Sequence, residues 1–151
     1  MLRRLLLAVS FSLFASTLHA QTFRVPYHSV NSMILLDAQV NGKPAALMLD
    51  TGSAMTVLDV SALGLSEQYA FKRSEVNRGA PGIHGDIGIS AADLNIGGSQ
   101  WKSHRVSVMN LESVKQRFGI KQLEGLLGQD ILREFSAVRT DYKANVIEFE
   151  K

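Results

Sequence analysis

The sequence predicts an all-β domain: a small closed barrel with one short helix in its C-terminal half. Seven or eight short extended segments alternate with turn signals, and helical patterning is sparse. The 151 residues suit one domain, and 46% hydrophobic content supplies a core. No repeat, low-complexity tract or linker divides the chain.

Residues 1–20 stand apart from that domain. Met1-Leu2-Arg3-Arg4 is a short basic start, and residues 5–18 are mostly apolar, broken by Ser10, Ser12, Ser16 and Thr17. Ala20 then puts a small residue before Gln21. This three-part pattern predicts a secretory signal peptide at 1–20, ahead of a domain at 21–151; the apolar stretch is short for a membrane span. The alternative reading is an uncleaved N-terminal anchor.

Within the domain, residues 21–29 read as an extended arm containing Pro26, and 31–40 as a strand. Asn41-Gly42 is a tight-turn signal, Pro44 restarts an extended chain, and 45–49 is the return strand. Residues 56–60 are short and β-branched, 61–65 form one helical turn or loop ended by Gly64, and 71–77 form another strand. Gly79, Pro81, Gly82 and Gly85 make 78–86 a mobile turn. Residues 87–94 resume an extended pattern, 95–99 mark a hairpin turn, and 101–109 form a strand alternating at Val106 and Val108. Residues 111–118 can form a short amphipathic helix, and 130–135, with Gly128 before them, are the best helix. A last hairpin joins 137–142 to 145–150 around Lys143-Ala144.

Charge and composition exclude several functions. Arg3 and Arg4 belong to the leader, so 14 of the 16 Lys+Arg remain to face 14 Asp+Glu, and the domain is formally neutral. No basic stripe is left for nucleic acid or an anionic membrane, and no stable membrane insertion is expected once the leader is removed. The absence of cysteine removes disulfides, a thiol nucleophile and cysteine metal sites. His28 and His104 lack metal-ligand spacing. There is neither a Gly-Lys-Ser/Thr nucleotide loop nor a Gly-x-Ser-x-Gly elbow, so neither metal nor organic cofactor is expected.

Two motifs carry the chemistry. The apolar residues 45–49 deliver the carboxylate of Asp50 into a Thr51-Gly52 turn, and Met55-Thr56-Val57-Leu58 leads away. An acid at the mouth of two buried strands is costly unless a polar network holds it. Asp and Gly are also ordinary turn residues, so this motif alone fits a plain β-turn. The second motif is Gly125-Leu126-Leu127-Gly128-Gln129-Asp130-Ile131-Leu132: two bulky apolar residues, a glycine, then an apolar helix start.

In this order and spacing the two motifs resemble the retropepsin-like branch of aspartic proteases, of the bacterial exported or periplasmic type, over residues 30–149. The resemblance implies an acid-protease barrel with one lobe per chain. Asp-Thr-Gly occurs once, so an aspartic endopeptidase of this kind would be a homodimer with Asp50 from each subunit. The two carboxylates would share one proton and titrate as a unit while activating water against a peptide carbonyl. Thr51 would hydrogen-bond across the dimer axis, Gly52 would let the backbone pass close to the carboxylates, and Ser53 would bond the outer oxygen of Asp50. Leu126, Leu127 and Gly128 would support the loop from below. Ser53 and Ala54 would line the substrate groove. Residues 79–86 would form the flap, with Gly82, Ile83, His84 and Gly85 at the peptide and His84 giving it a pH-dependent charge.

The chain departs from the retroviral pattern in two linked places. Ala54 and Gln129 stand where an acid and a basic partner usually pair, and Met55 replaces a frequently polar residue. Both halves of the ion pair are missing, which makes the groove near Asp50 more apolar. In retroviral members the chain termini interleave in the dimer interface; the resemblance would allow 22–27 and 146–151 the same role, which no residue pattern here specifies. The rival reading is a non-catalytic peptide-binding or interaction module on the same fold, for which a monomer is enough.

Overall fold

Strand pairing in this protein closes on itself. The computed structural model describes residues 22–60 and 87–151. The leader, the strand expected at 71–77 and the flap expected at 79–86 lie outside the described residues. The described elements are β1 (Thr22–Val30), β2 (Met33–Val40), β3 (Lys43–Leu49), β4 (Val57–Asp59), β5 (Gly88–Ile96), β6 (Ser99–Met109), α1 (Glu112–Phe118), β7 (Gly125–Leu127), α2 (Gln129–Leu132), β8 (Ala137–Asp141) and β9 (Val146–Glu150). Hydrogen-bonded neighbours run β3-β7-β4-β6-β5-β2, and β2 also pairs with β3, giving a closed six-stranded barrel. The expected all-β fold is therefore the observed one, with both helices in the C-terminal half. Beyond the barrel, β1, β9 and β8 continue the sheet from β2.

Tight turns set the registers. Val40 lies opposite Lys43 across Asn41-Gly42, whose φ values are +50° and +77°. Two positive φ angles match the right-handed twist of the flanking strands, and Asn-Gly adopts them at little cost. The segment expected as a strand from 31 starts at Met33 instead. Asn31 and Ser32 form a second two-residue turn, with φ of +49° and +67°, between Val30 and Met33. Asn31 is held there by its Nδ2, which donates to Phe118 O at 2.8 Å.

Part of the barrel wall, around Leu35-Leu36, Leu47-Met48, β4 and β7, is buried on both faces. Successive residues point to opposite sides of a strand. Leu36, Leu47, Leu58 and Leu127 fill the barrel interior, while their chain neighbours Leu35, Met48, Val57 and Leu126 join Met109, Leu111, Val114, Ile120 and Leu123 in an outer cluster under α1. Apolar runs such as Ile34-Leu35-Leu36 and Leu47-Met48-Leu49 follow from this double burial. Helix α1 is tied down by charge as well: Lys115 Nζ lies 2.7 Å from Oδ2 of Asp59, a wholly buried carboxylate on β4.

The first and last described strands, β1 and β9, pair with each other within the chain. Thr22 to Pro26 pair with Val146 to Glu150, and β8 covers the other side of β9. Phe23 stacks on Phe149 at 4.8 Å, and Phe135 meets both edge-on at 5.4 and 5.0 Å. Trp101 joins this cluster 6.3 Å from Phe135 and donates its indole N–H to Glu134 at 2.9 Å.

Candidate active site

Asp50 is placed by the ladder that precedes it. β3 runs parallel to β7, with Leu49 opposite Leu127, and the Asp50 N–H extends that ladder by donating to Leu127 O at 3.0 Å. The chain then turns. Gly52 N–H donates to Asp50 Oδ1 at 2.9 Å, and Ser53 N–H donates to Asp50 O at 3.3 Å. A Cβ on Gly52 would sit 3.2 Å from that same Oδ1, so glycine leaves room for the carboxylate. Asp50 is half-buried and Thr51, Gly52 and Ala54 are exposed. Among the described residues, the donor to the Asp50 carboxylate is the Gly52 N–H.

The Ser53 hydroxyl does not take the role expected of it. It donates to Met55 O at 2.6 Å, which shapes the exit of the loop and leaves Asp50 to its backbone donor. Met55 is half-buried, with its Sδ 3.8 Å from Ser107 Oγ. Gly82, Ile83, His84 and Gly85 lie outside the described residues.

The segment after β7 is stitched to the loop at every step. Leu126 and Leu127 are buried on opposite faces of the wall. Gly128 passes so close to the loop's exit that a Cβ there would lie 2.4 Å from Met55 C, 2.5 Å from Met55 O and 2.8 Å from Thr56 N. Gly128 N–H donates to Thr56 Oγ1 at 3.2 Å, and Gln129 N–H donates to Ser53 O at 2.9 Å. Gln129 Nε2 donates to Thr51 O at 2.8 Å, so the residue in the usual basic position braces the loop with a neutral amide.

A second carboxylate stands behind the loop. Asp130 Oδ1 accepts from Thr56 N–H and from Thr56 Oγ1, both at 2.8 Å, and from Ile131 N–H at 3.0 Å. Its Oδ2 lies 2.9 Å from His104 Nε2, and both side chains are more than four-fifths buried. Burial pushes the Asp130 carboxyl upward, but the hydrogen bonds from Thr56 and His104 outweigh it and hold the group below the usual aspartate value. Sequence reasoning placed Asp130 only as a helix residue and His104 only as an isolated histidine. The acid at a helix start was the one available cue. Its partners are 74 residues away at Thr56 and 26 away at His104, distances at which no local pattern operates.

Among the described residues no group of three or more His, Cys, Asp or Glu side chains is placed to hold an ion. Among them, too, no helix is long and apolar enough to cross a membrane.

The sequence model of the family described as aspartyl protease matches residues 36–131, more than half of the chain. The fold is similar to that of a retropepsin-like aspartic protease from Rickettsia conorii, with 17% identity, a TM-score of 0.56, and coverage of 87% of this chain and 90% of that one. It is also similar to the retroviral protease-like domain of Ddi1 from Leishmania major, at 15% identity and a TM-score of 0.53, covering 80% of this chain and 88% of that one. No curated protein matches the sequence.

Proposed function

Because the chain belongs to the aspartyl protease family, we propose that it is an aspartic endopeptidase that works as a homodimer. Asp50 carries this reading. It is the acid of the single Asp-Thr-Gly turn, it is half-buried, and one oxygen is fixed by Gly52 N–H. One chain supplies one such carboxylate, and the chemistry needs two. A two-fold partner would bring a second Asp50 beside the first. Two carboxyls about 3 Å apart do not both ionise, so one keeps a proton. The ionised member would take a proton from water as the water attacks the scissile carbonyl. The protonated member would donate to the carbonyl oxygen, giving a tetrahedral diol that collapses with proton transfer to the leaving amine.

The remaining roles follow from this pairing. Thr51 is exposed and its carbonyl is held by Gln129, so its side chain is available to the partner loop. Ser53 and Ala54 would line the groove, and Gly82, Ile83, His84 and Gly85 would close over bound peptide. We propose export through a leader at 1–20, to the periplasm or beyond, which intact mass of the exported protein tests.

The test of the activity is cleavage of an unstructured protein such as casein by the mature chain, between about pH 4 and about pH 6, where one carboxyl keeps its proton. Asp50→Asn is run alongside. Cleavage by wild type alone, unaffected by a chelator, is the expected result. No cleavage by either, from a protein that stays monomeric at micromolar concentration, refutes the protease reading and favours the peptide-binding module.

A further inference from the structure

The network behind the loop has a fixed hydrogen-bond polarity. Thr56 Oγ1 donates to Asp130 Oδ1 and accepts from Gly128 N–H. Asp130 Oδ1 accepts from the Thr56 hydroxyl, the Thr56 N–H and the Ile131 N–H, three bonds that a carboxylate receives more strongly than a protonated carboxyl does. Thr56 leaves the loop that Asp50 enters, and Gly128 follows the carbonyl that receives the Asp50 N–H. A change in the ionisation of Asp130 therefore reaches both strands that position Asp50.

We propose that His104 and Asp130 form an ion-paired brace that positions the Asp50 loop and keeps it in register at acidic pH. The proposal rests on the protease reading for its consequence in catalysis. A carboxyl dyad that needs a bound proton works where an ordinary aspartate also begins to protonate. A brace made of a lone aspartate would fail in that range. Imidazole gains its charge as pH falls below neutrality, and an imidazolium against Oδ2 stabilises the carboxylate over the range in which it is threatened.

Other charges near His104 have partners of their own. On β5 its register partner is Ala92, and the next residue, Asp93, is held by Lys102 Nζ and by Ser103 N–H, both at 2.8 Å. Arg105 alternates to the opposite face of β6. On β4, Asp59 meets Lys115 at 2.7 Å. Past α2, Arg133 donates to Gln129 at 3.2 Å, and Glu134 accepts from Trp101 at 2.9 Å. Among the described residues, Asp130 is the charged group in contact with His104.

Two variants separate the bond from the charge. His104→Leu removes both, and His104→Gln keeps a donor without the charge. We would measure kcat and KM from about pH 3 to about pH 6, spanning the ordinary ranges of carboxyl and imidazole. Alongside, amide exchange of Thr56 and Gly128 would be followed against Val40 and Ile96 elsewhere in the barrel. His104→Leu is expected to lower kcat about tenfold at the acid end, with KM little changed and the acid limb moved upward, the loss appropriate to one charge-assisted hydrogen bond. His104→Gln is expected to recover the less acid part of the profile and to lose the acid end. Thr56 and Gly128 amides should exchange faster in His104→Leu at acid pH, while Val40 and Ile96 do not. Superimposable profiles and exchange in His104→Leu and wild type would overturn the brace, as would equal acceleration at all four amides. A wild type that cleaves nothing would sink the protease reading, and the exchange data would still decide the brace.

Discussion

Gly128→Ala tests how tightly the segment after β7 must approach the Asp50 loop. Gly128 has φ −99° and ψ −178°, a conformation open to any residue, so the substitution carries no backbone penalty of its own. The cost is contact. The new methyl would lie 2.4 Å from Met55 C, 2.5 Å from Met55 O and 2.8 Å from Thr56 N, all backbone atoms that no side-chain rotation can move. Relieving this separates the two segments by about 1 Å, and overpacking of that kind costs about 2–3 kcal/mol. The Gly128 N–H to Thr56 bond, already 3.2 Å long, would be lost with it, adding about 1 kcal/mol. A total near 3–4 kcal/mol should appear as a lower urea midpoint with an unchanged slope. Because the displaced residues carry Asp50 and its support, kcat/KM should fall about a hundredfold even where the variant remains folded. A variant within about 0.5 kcal/mol of wild type and equally active would refute the idea that this contact sets the loop.

Two further outcomes concern stability. Lys115→Met removes the lysine that faces a wholly buried Asp59, and should cost about 3–5 kcal/mol by urea unfolding, of which Asp59→Asn in the same chain recovers part. For Asp130, the folded-state value lies below the ordinary one because Thr56 and His104 bonds outweigh burial. Its contribution to stability is therefore complete above about pH 4 and disappears as pH falls through the lowered value. Urea midpoints measured down that range should drop in wild type and drop less in Asp130→Asn.

The parts of this fold that were legible in the sequence are those set by neighbouring residues. Asn41-Gly42 announced its hairpin because both φ angles are positive and these two residues tolerate them. Asn31-Ser32 makes the same kind of turn without a glycine and was absorbed into the following strand. The helix expected over 130–135 ends at Leu132, because Phe135 is drawn into the aromatic cluster and Ser136 N–H donates to Glu150 O at 2.8 Å to start β8. Within the site, Asp50 and Gly128 were visible because each interrupts an apolar strand. Thr56, His104 and Asp130 were not, since their meaning lies in contacts between β6, α2 and the loop exit that only barrel closure creates.

Closure also brings other polar contacts to the segments that the two missing charges would have joined. By resemblance, the acid two residues after the motif glycine and the base after the supporting glycine would pair beside the substrate groove. Here Ala54 and Gln129 occupy those positions, and the Gln129 amide takes over the mechanical task by gripping Thr51 O at 2.8 Å. A polar side-chain pair stands one residue further on, where Asp130 Oδ2 meets His104 Nε2 at 2.9 Å behind the loop. Both arrangements tether the same two segments, but they leave different surfaces at the groove. A pair beside Asp50 would place ionic hydrogen-bonding groups against bound peptide. A pair behind it frees that surface for Ala54 and Met55, so brace and groove become chemically independent. Substitutions at Ala54 should then alter which peptides bind without touching the acid tolerance of the loop, whereas substitutions at His104 should do the reverse.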